Sequence, residues 1–192
     1  MDKIAGKNAA SAEFDDLLSG LPQAEHDYIL QDVPRWKEIK GIDEDIQKVA
    51  FDFVFRLPEF CSLLKYRIRG LQQKNILEAW IDFFNKYDLK SQTNLWLSTK
   101  TIGPGIYIQH GFSTKVFAER IGKNFWINQN CTVGDHNGKP SIGDNVQVRT
   151  NAVVFGAITI GNNVKIGAGS VVNFDVPDDC TVVPQRMRII QK

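Results

Sequence analysis

Aliphatic residues fall on a six-residue beat through the second half of the chain: Ile121, Ile127, Val133, Ile142, Val148, Val154, Ile160, Ile166 and Val172. Every step is six residues except Val133 to Ile142, which carries three more. Ile102 and Ile108 keep the same beat upstream, and a second break follows before Ile121. The fourth residue after each beat position is small or apolar in most units, as at Ile106, Phe112, Cys131, Val146, Ala152, Ile158, Val164 and Ser170. The residue after the beat is repeatedly glycine: Gly103, Gly122, Gly134, Gly143, Gly161 and Gly167. A period of six fits neither an amphipathic helix nor an alternating strand. It predicts a solenoid in which each hexad forms one short face of a triangular coil and three hexads close a turn. The inward aliphatic residues then stack coil on coil at the ~4.8 Å spacing of neighbouring strands. The glycines are expected to supply the backbone angles of the corners.

Residues 1–92 lack the beat and read as helical. Residues 10–18 read as a first short helix. From Asp43 to Phe55, Ile46, Val49, Ala50, Phe53 and Val54 recur at helical spacing. Leu57-Pro58 is a break, with Pro58 well placed to open a helix, and Gly70 is placed to end it. A further stripe runs from Ile76 to Tyr87 through Leu77, Trp80, Ile81, Phe83 and Phe84. The expected organisation is therefore a helical region, 1–92, followed by a solenoid domain, 93–192, with the change of pattern near residues 90–101.

Composition narrows the function classes. The formal net charge is +1, which indicates no bulk attraction to nucleic acid. Hydrophobic residues make up 43% of the chain, as in globular proteins, and no run reaches the ~18 apolar residues of a membrane span. The opening MDKIAGKNAASAEFDD lacks the apolar stretch of a signal peptide. Cys61, Cys131 and Cys180 are odd in number and far apart, so neither a disulfide framework nor a zinc site is expected. A cytoplasmic protein without a metal is the simplest expectation. Cys131 stands on an inward position and reads as a small core residue.

The beat, its glycines and the stretch GIYIQHGF from Gly105 to Phe112 resemble the hexapeptide-repeat acyltransferases, and within them the serine acetyltransferase-like proteins. The segment LPEFCSLLKYR from Leu57 to Arg67 is similar to one that precedes the solenoid in such proteins, especially those associated with bacterial surface polysaccharides. The resemblance implies a mainly β fold, a left-handed parallel β-helix with an N-terminal α-helical extension, and a homotrimer. It also implies acetyl-CoA as acetyl donor, and His110 as the general base.

The chemistry suits an imidazole. A hydroxyl is a poor nucleophile unless its proton leaves as the new bond forms, and imidazole, with an ordinary pKa near ~6.5, can take it. The donor thioester is already activated, so no covalent enzyme intermediate is required. His110 also precedes a break in the beat, where chain leaves the regular surface and a site can form. His26 lies in the helical region and reads as structural.

Several positions depart from the serine acetyltransferase pattern. The acidic residue about fifteen positions before the histidine is replaced by Leu95, beside Asn94, and the residue before the histidine is Gln109. Asn94, Gln109, Glu119 and Asp135 are the candidates to orient the imidazole. The three-residue insertion lies within GDHNGKP, Gly134 to Pro140, where the resemblance implies an acceptor-binding loop. The Arg-His pair that grips an amino-acid carboxylate is absent there. Lys139 precedes Pro140, and His136 does not align with the family's loop histidine. Gln109, Asp135, His136 and Lys139 are therefore the acceptor-binding candidates. The resemblance further implies that Gly134, Thr150 and Ala168 occupy the backbone positions that hold acetyl-CoA, that Lys165 matches the family's lysine, and that Arg186 and Arg188 are tail residues suited to its phosphates.

Three functions follow. The first is acetyl transfer to a sugar hydroxyl of a surface polysaccharide, favoured because the features that grip serine are missing. The second is serine O-acetylation in cysteine biosynthesis. The third is a non-catalytic β-helix that only binds. A metal enzyme of this fold needs three histidines, and the solenoid has only His110 and His136.

Overall fold

The computed structural model describes residues 2–185 and residue 190, with side chains described from Lys7 onward. The chain divides into two compact units, Met1–Gln92 and Thr93–Lys192.

The first unit is five helices: Asp2–Ser19, Gln23–Lys40, Ile46–Arg56, Pro58–Ile68 and Lys74–Lys86. Asp45 caps the third, accepting from Gln47 N at 2.9 Å and Lys48 N at 3.3 Å, which satisfies backbone donors that the first turn leaves open. Pro58 opens the fourth at a position where its missing N–H costs nothing. The core is aromatic, with Phe14 edge-on to Trp80 (5.7 Å between centroids) and to Phe51 (5.9 Å). Trp36 and Phe60 form a second edge-on pair at 5.1 Å.

Helix Gln23–Lys40 was not singled out by periodicity. Its inward positions are Ile29, Asp32, Val33 and Trp36, and a charged residue in that stripe plus Pro34 inside the helix blur the apolar pattern. Asp32 is 1% exposed and is gripped through both carboxylate oxygens by Arg67, at 2.8 and 3.1 Å. No helix among the described residues is long and apolar enough to cross a membrane.

The second unit is a parallel β-solenoid of five coils. One face carries five rungs: Leu95–Leu97, Thr114–Val116, Thr132–Gly134, Val153–Phe155 and Val171–Val172. The next face carries Arg120–Ile121, Ser141–Ile142 and Thr159–Ile160, extended at its ends by single parallel bridges from Ile102 and Val176. The third carries Tyr107–Gln109, Trp126–Asn128, Gln147–Val148, Lys165–Ile166 and Thr181–Val182. The beat residues are the inward ones: Ile108, Ile127, Val148 and Ile166 are each at most 1% exposed and stand in register.

Two parts of the solenoid escaped the beat. Val116, fully buried, is the inward residue between Ile108 and Ile121, but it stands eight residues after one and five before the other. The last coil closes through Val176 and Val182, beyond the last beat position at Val172. Phe112 does not occupy an inward position as expected. It lies in the enlarged corner between Ile108 and Val116 and is 44% exposed.

The hexad glycines also act differently from expectation. Gly103, Gly122, Gly143, Gly161 and Gly167 do not adopt positive φ. They stack where successive coils come closest. A Cβ on Gly122 would lie 2.7 Å from the Gly143 carbonyl, and one on Gly103 would lie 2.6 Å from the Gly122 oxygen. The left-handed corner positions belong instead to Asn124, Asn145 and Asn163, at φ of 55, 58 and 57°, and to Asp179 at 59°. Asparagine is, after glycine, well suited to that conformation. Here its side chain also ties the coils, because Asn124 donates to Asn145 (2.9 Å), Asn145 to Asn163 (2.9 Å) and Asn163 to Asp179 (2.8 Å). Gly122→Ala is therefore expected to destabilise the solenoid by about 1–3 kcal/mol, the usual range for overpacking. Equilibrium denaturation measures it, and an unchanged midpoint would refute the close-approach account.

Candidate active site

His110 follows the rung Tyr107–Gln109 at the corner between the third face and the first. From Ile108 to Val116 the chain uses eight residues, against six from Ile127 to Val133 one coil on. The two extra residues bulge outward. His110, Gly111 and Ser113 all take positive φ, 64, 45 and 51°. Thr114, fully buried, holds the bulge at its base, its Oγ1 donating to the carbonyls of Asn128 and Phe112, both at 3.2 Å. Asn130 N donates to Phe112 O at 3.0 Å. His110 itself is exposed, and its imidazole has no hydrogen-bond partner among the described residues. The corner thus presents a basic ring to solvent on a backbone fixed beneath it.

The register Ile108, Ile127, Val148, Ile166 places His110, Gln129, Thr150 and Ala168 at the same point of four successive coils. Thr150 is half-buried and accepts at its carbonyl from Gly169 N (2.9 Å), while Ala168 is exposed. Lys165 lies on the adjoining third face, exposed, opposite Gln147 and Thr181. His110, Thr150, Ala168 and Lys165 therefore line one edge of the solenoid.

Gly134 and the insertion lie elsewhere. Gly134 ends the first-face rung Thr132–Gly134 and pairs with Phe155, so the loop leaves from the opposite edge of that face. At ~3.3 Å per residue the face is on the order of 15 Å wide. Within one chain, then, Asp135, His136 and Lys139 are not brought beside His110. The loop is braced on both sides. Asp135 Oδ1 accepts from Gly138 N at 3.1 Å, and the His136 ring meets Phe155 edge-on at 5.7 Å. Gly138 (φ 125°) passes so close to Ala157 that a Cβ there would lie 2.6 Å from the alanine's own. The Lys139 ammonium sits 4.1 Å from the centre of the Phe117 ring, a cation–π contact. Arg186 and Arg188 lie outside the described residues.

Of the four candidates to orient the imidazole, Glu119 and Asp135 are on the loop's edge, where Glu119 N donates to Pro140 O. Asn94 is on the His110 corner, its carbonyl accepting from Thr114 N at 3.0 Å. Gln109 is half-buried, and its Oε1 accepts from Asn128 Nδ2 at 3.1 Å. Sequence reasoning missed Asn128 and Gln129. The signal was available in the beat, since they follow Ile127 as Gln109 and His110 follow Ile108. It also missed Arg149, whose guanidinium stacks on Trp126 at 4.6 Å, with Tyr107 edge-on to the same indole at 4.8 Å. Cys131 is fully buried, as expected of a core residue, and burial pushes its thiol pKa up, which removes it as a nucleophile.

Comparison with known proteins agrees with this architecture. The family described as bacterial transferase hexapeptide (six repeats) matches residues 139–173. A colanic acid biosynthesis acetyltransferase, WcaB of Escherichia coli K12, is 38% identical over 163 residues, covering 80% of this chain and 96% of that protein. Serine acetyltransferase of Synechococcus elongatus is 44% identical over 97 residues, 47% of this chain. The chain spans only 40% of the length of that relative. Among solved structures, serine acetyltransferase isoform 3 of Entamoeba histolytica, in complex with cysteine, superposes with a TM-score of 0.63 at 22% identity, over 88% of this chain and 61% of that one. A serine acetyltransferase in complex with CoA gives 0.59 at 22%, over 82% and 66%. These two likenesses are likenesses of fold. The chain belongs to the hexapeptide-repeat acetyltransferases, the group of acyltransferases that holds WcaB and the serine acetyltransferases.

Proposed function

We propose that this protein is an acetyl-CoA-dependent O-acetyltransferase that acts on a sugar hydroxyl of a surface polysaccharide, with His110 as general base. The carrying observation is the reach of the likeness to WcaB. Its 163 aligned residues exceed the 100 of the solenoid unit, so it takes in helical residues as well. The likeness to serine acetyltransferases is 97 residues long.

In this reading a ring nitrogen of His110 removes the acceptor hydroxyl proton as the oxygen attacks the thioester carbonyl. Backbone N–H groups at the coil corners stabilise the oxyanion. The C–S bond breaks, CoA thiolate leaves, and the proton held by the imidazolium completes CoA as the free thiol. Thr150 and Ala168 of one chain and Gly134 of its neighbour hold the pantetheine through their backbone, and Lys165, Arg186 and Arg188 meet the phosphates. A solved relative does carry CoA.

The separation of the loop from His110 within one chain supports a homotrimer. Prisms packed side by side can set one copy's loop edge against the next copy's His110 corner, so that Gln109 of one chain and Asp135, His136 and Lys139 of its neighbour surround the acceptor. A cytoplasmic location fits the use of acetyl-CoA.

Serine O-acetylation is the second reading, favoured by the 44% identity to a serine acetyltransferase through part of the chain. Thiol release from acetyl-CoA, measured with L-serine and with a panel of nucleotide sugars and oligosaccharides, separates the two. Release is expected with a sugar and not with serine. Serine-dependent release overturns the sugar reading. No release with any acceptor, together with no shift in melting temperature at millimolar CoA, would leave a protein that neither transfers nor binds.

A further inference from the structure

Among the described residues the His110 corner holds no carboxylate. Its segments are Asn94, Gln109 to Thr114, Asn128 to Thr132, Arg149 to Val153 and Gly167 to Val171, and the only charged group in them besides His110 is Arg149, which is stacked on Trp126. A group of this corner that orients the imidazole must therefore be an amide or a hydroxyl. Two amide oxygens stand out. Asn128 is 8% exposed and gives its Nδ2 proton to Gln109, yet its Oδ1 is buried without a partner. Gln129 Oε1 is likewise buried without a partner. Buried acceptors are nearly always satisfied, and an orphaned one calls for a donor.

Gln129 stands one rung from a donor that a turn of the exposed His110 ring brings to it, although the two side chains are not hydrogen-bonded in this structure. Gln109 and Asn128 are register partners, so Gln129 and His110 are the next residues on neighbouring rungs, which run ~4.8 Å apart. We infer that Gln129 is a positioning residue for His110: its side-chain carbonyl accepts the N–H of one imidazole nitrogen and leaves the lone pair of the other aimed at the acceptor hydroxyl. This rests on the reading of His110 as base. It assigns to a neutral amide the duty of the acidic residue that Leu95 replaces. An amide acceptor fixes the tautomer and the ring plane as a carboxylate does, although it stabilises the imidazolium less.

The test needs neither acceptor nor acetyl-CoA. In protein carrying ¹⁵N-labelled histidine, at alkaline pH where imidazoles are neutral, the ring nitrogens report the tautomer. His110→Ala identifies which of the three histidines' signals belong to position 110. The expected result is one pyrrole-like and one pyridine-like nitrogen in the native protein. Gln129→Leu should collapse the pair toward averaged shifts, and Gln129→Glu should restore it. Averaged shifts in the native protein, or a pair unmoved by Gln129→Leu, overturns the assignment. So does a collapse produced by Asn128→Leu and not by Gln129→Leu. With the acceptor that supports thiol release, Gln129→Leu should lower kcat on the order of tenfold or more with KM for acetyl-CoA unchanged, because a displaced base weakens the chemical step and not donor binding. If His110→Ala stays active while the tautomer still depends on Gln129, the base reading fails and the contact stands. A matched melting temperature for Gln129→Leu and native protein separates positioning from loss of fold.

Discussion

His110→Ala is expected to lower acetyl transfer by about 10²–10⁴-fold, the span usually carried by a positioned general base, while leaving the fold and CoA binding in place. The structural reason is that the imidazole is exposed and makes no hydrogen bond among the described residues, so its removal opens no cavity and leaves at most the Gln129 oxygen without the donor inferred for it. Exposed substitutions away from such features usually shift stability by no more than ~0.5 kcal/mol. One complication is the backbone. His110 sits at φ 64°, a conformation that alanine tolerates less well than asparagine does. His110→Asn is therefore the matched control, since it suits the left-handed corner as Asn124, Asn145 and Asn163 do but carries no basic nitrogen. Both variants should lose activity to the same extent, with kcat and kcat/KM falling together, and both should keep a CoA-dependent rise in melting temperature. Most of the activity surviving in His110→Asn would remove His110 from the chemical step. Activity lost only in His110→Ala would instead point to the shape of the corner.

Most of the inward surface of the solenoid was legible in the sequence, because burial repeats with the period of the coil. What was not legible is what happens at corners. The beat breaks after Ile108, so Val116 could not be assigned, and Phe112 was counted inward when it rides on the bulge. Glycine at a turn suggests positive φ, yet the glycines that follow the beat residues answer to the distance between coils, while the left-handed positions two residues further on at Asn124, Asn145 and Asn163 use asparagine. Both choices satisfy the same hexad, and only contacts between coils distinguish them. The site shows the same division. His110 could be found from its neighbours in sequence. Gln129 could be placed beside it by the beat, two residues after Ile127 as His110 is after Ile108, but an amide beside a strand reads as a solvated polar residue until its oxygen is seen to be buried. The resemblance implied that the loop around Lys139 meets the acceptor beside His110, but within one chain the two occupy opposite edges of one face. Counting faces, not residues, decides which groups meet.

In the helical unit the largest single effect is expected from the Asp32–Arg67 pair. Asp32 is 1% exposed, and the Arg67 side chain is 5% exposed in this ion pair. The guanidinium takes both carboxylate oxygens and also lies over the Tyr28 ring at 4.8 Å. Arg67→Met keeps much of the side chain's bulk but leaves a buried carboxylate without its bidentate cation, which costs on the order of 3–5 kcal/mol. Asp32→Leu should cost a similar amount by leaving the guanidinium buried. The double variant Asp32→Leu/Arg67→Met removes both charges at once. Because apolar replacement of a buried ion pair is often neutral or stabilising, it should be more stable than either single variant. The coupling so measured, from denaturation of the native protein, the two single variants and the double, belongs to the pair alone. This also explains why a charged residue interrupts the apolar stripe of helix Gln23–Lys40. Asp32 faces inward because Arg67, near the end of helix Pro58–Ile68, is there to meet it. Single variants that cost less than ~1 kcal/mol, or costs that simply add in the double, would mean the carboxylate and guanidinium are held by other groups and the pair does not join the two helices.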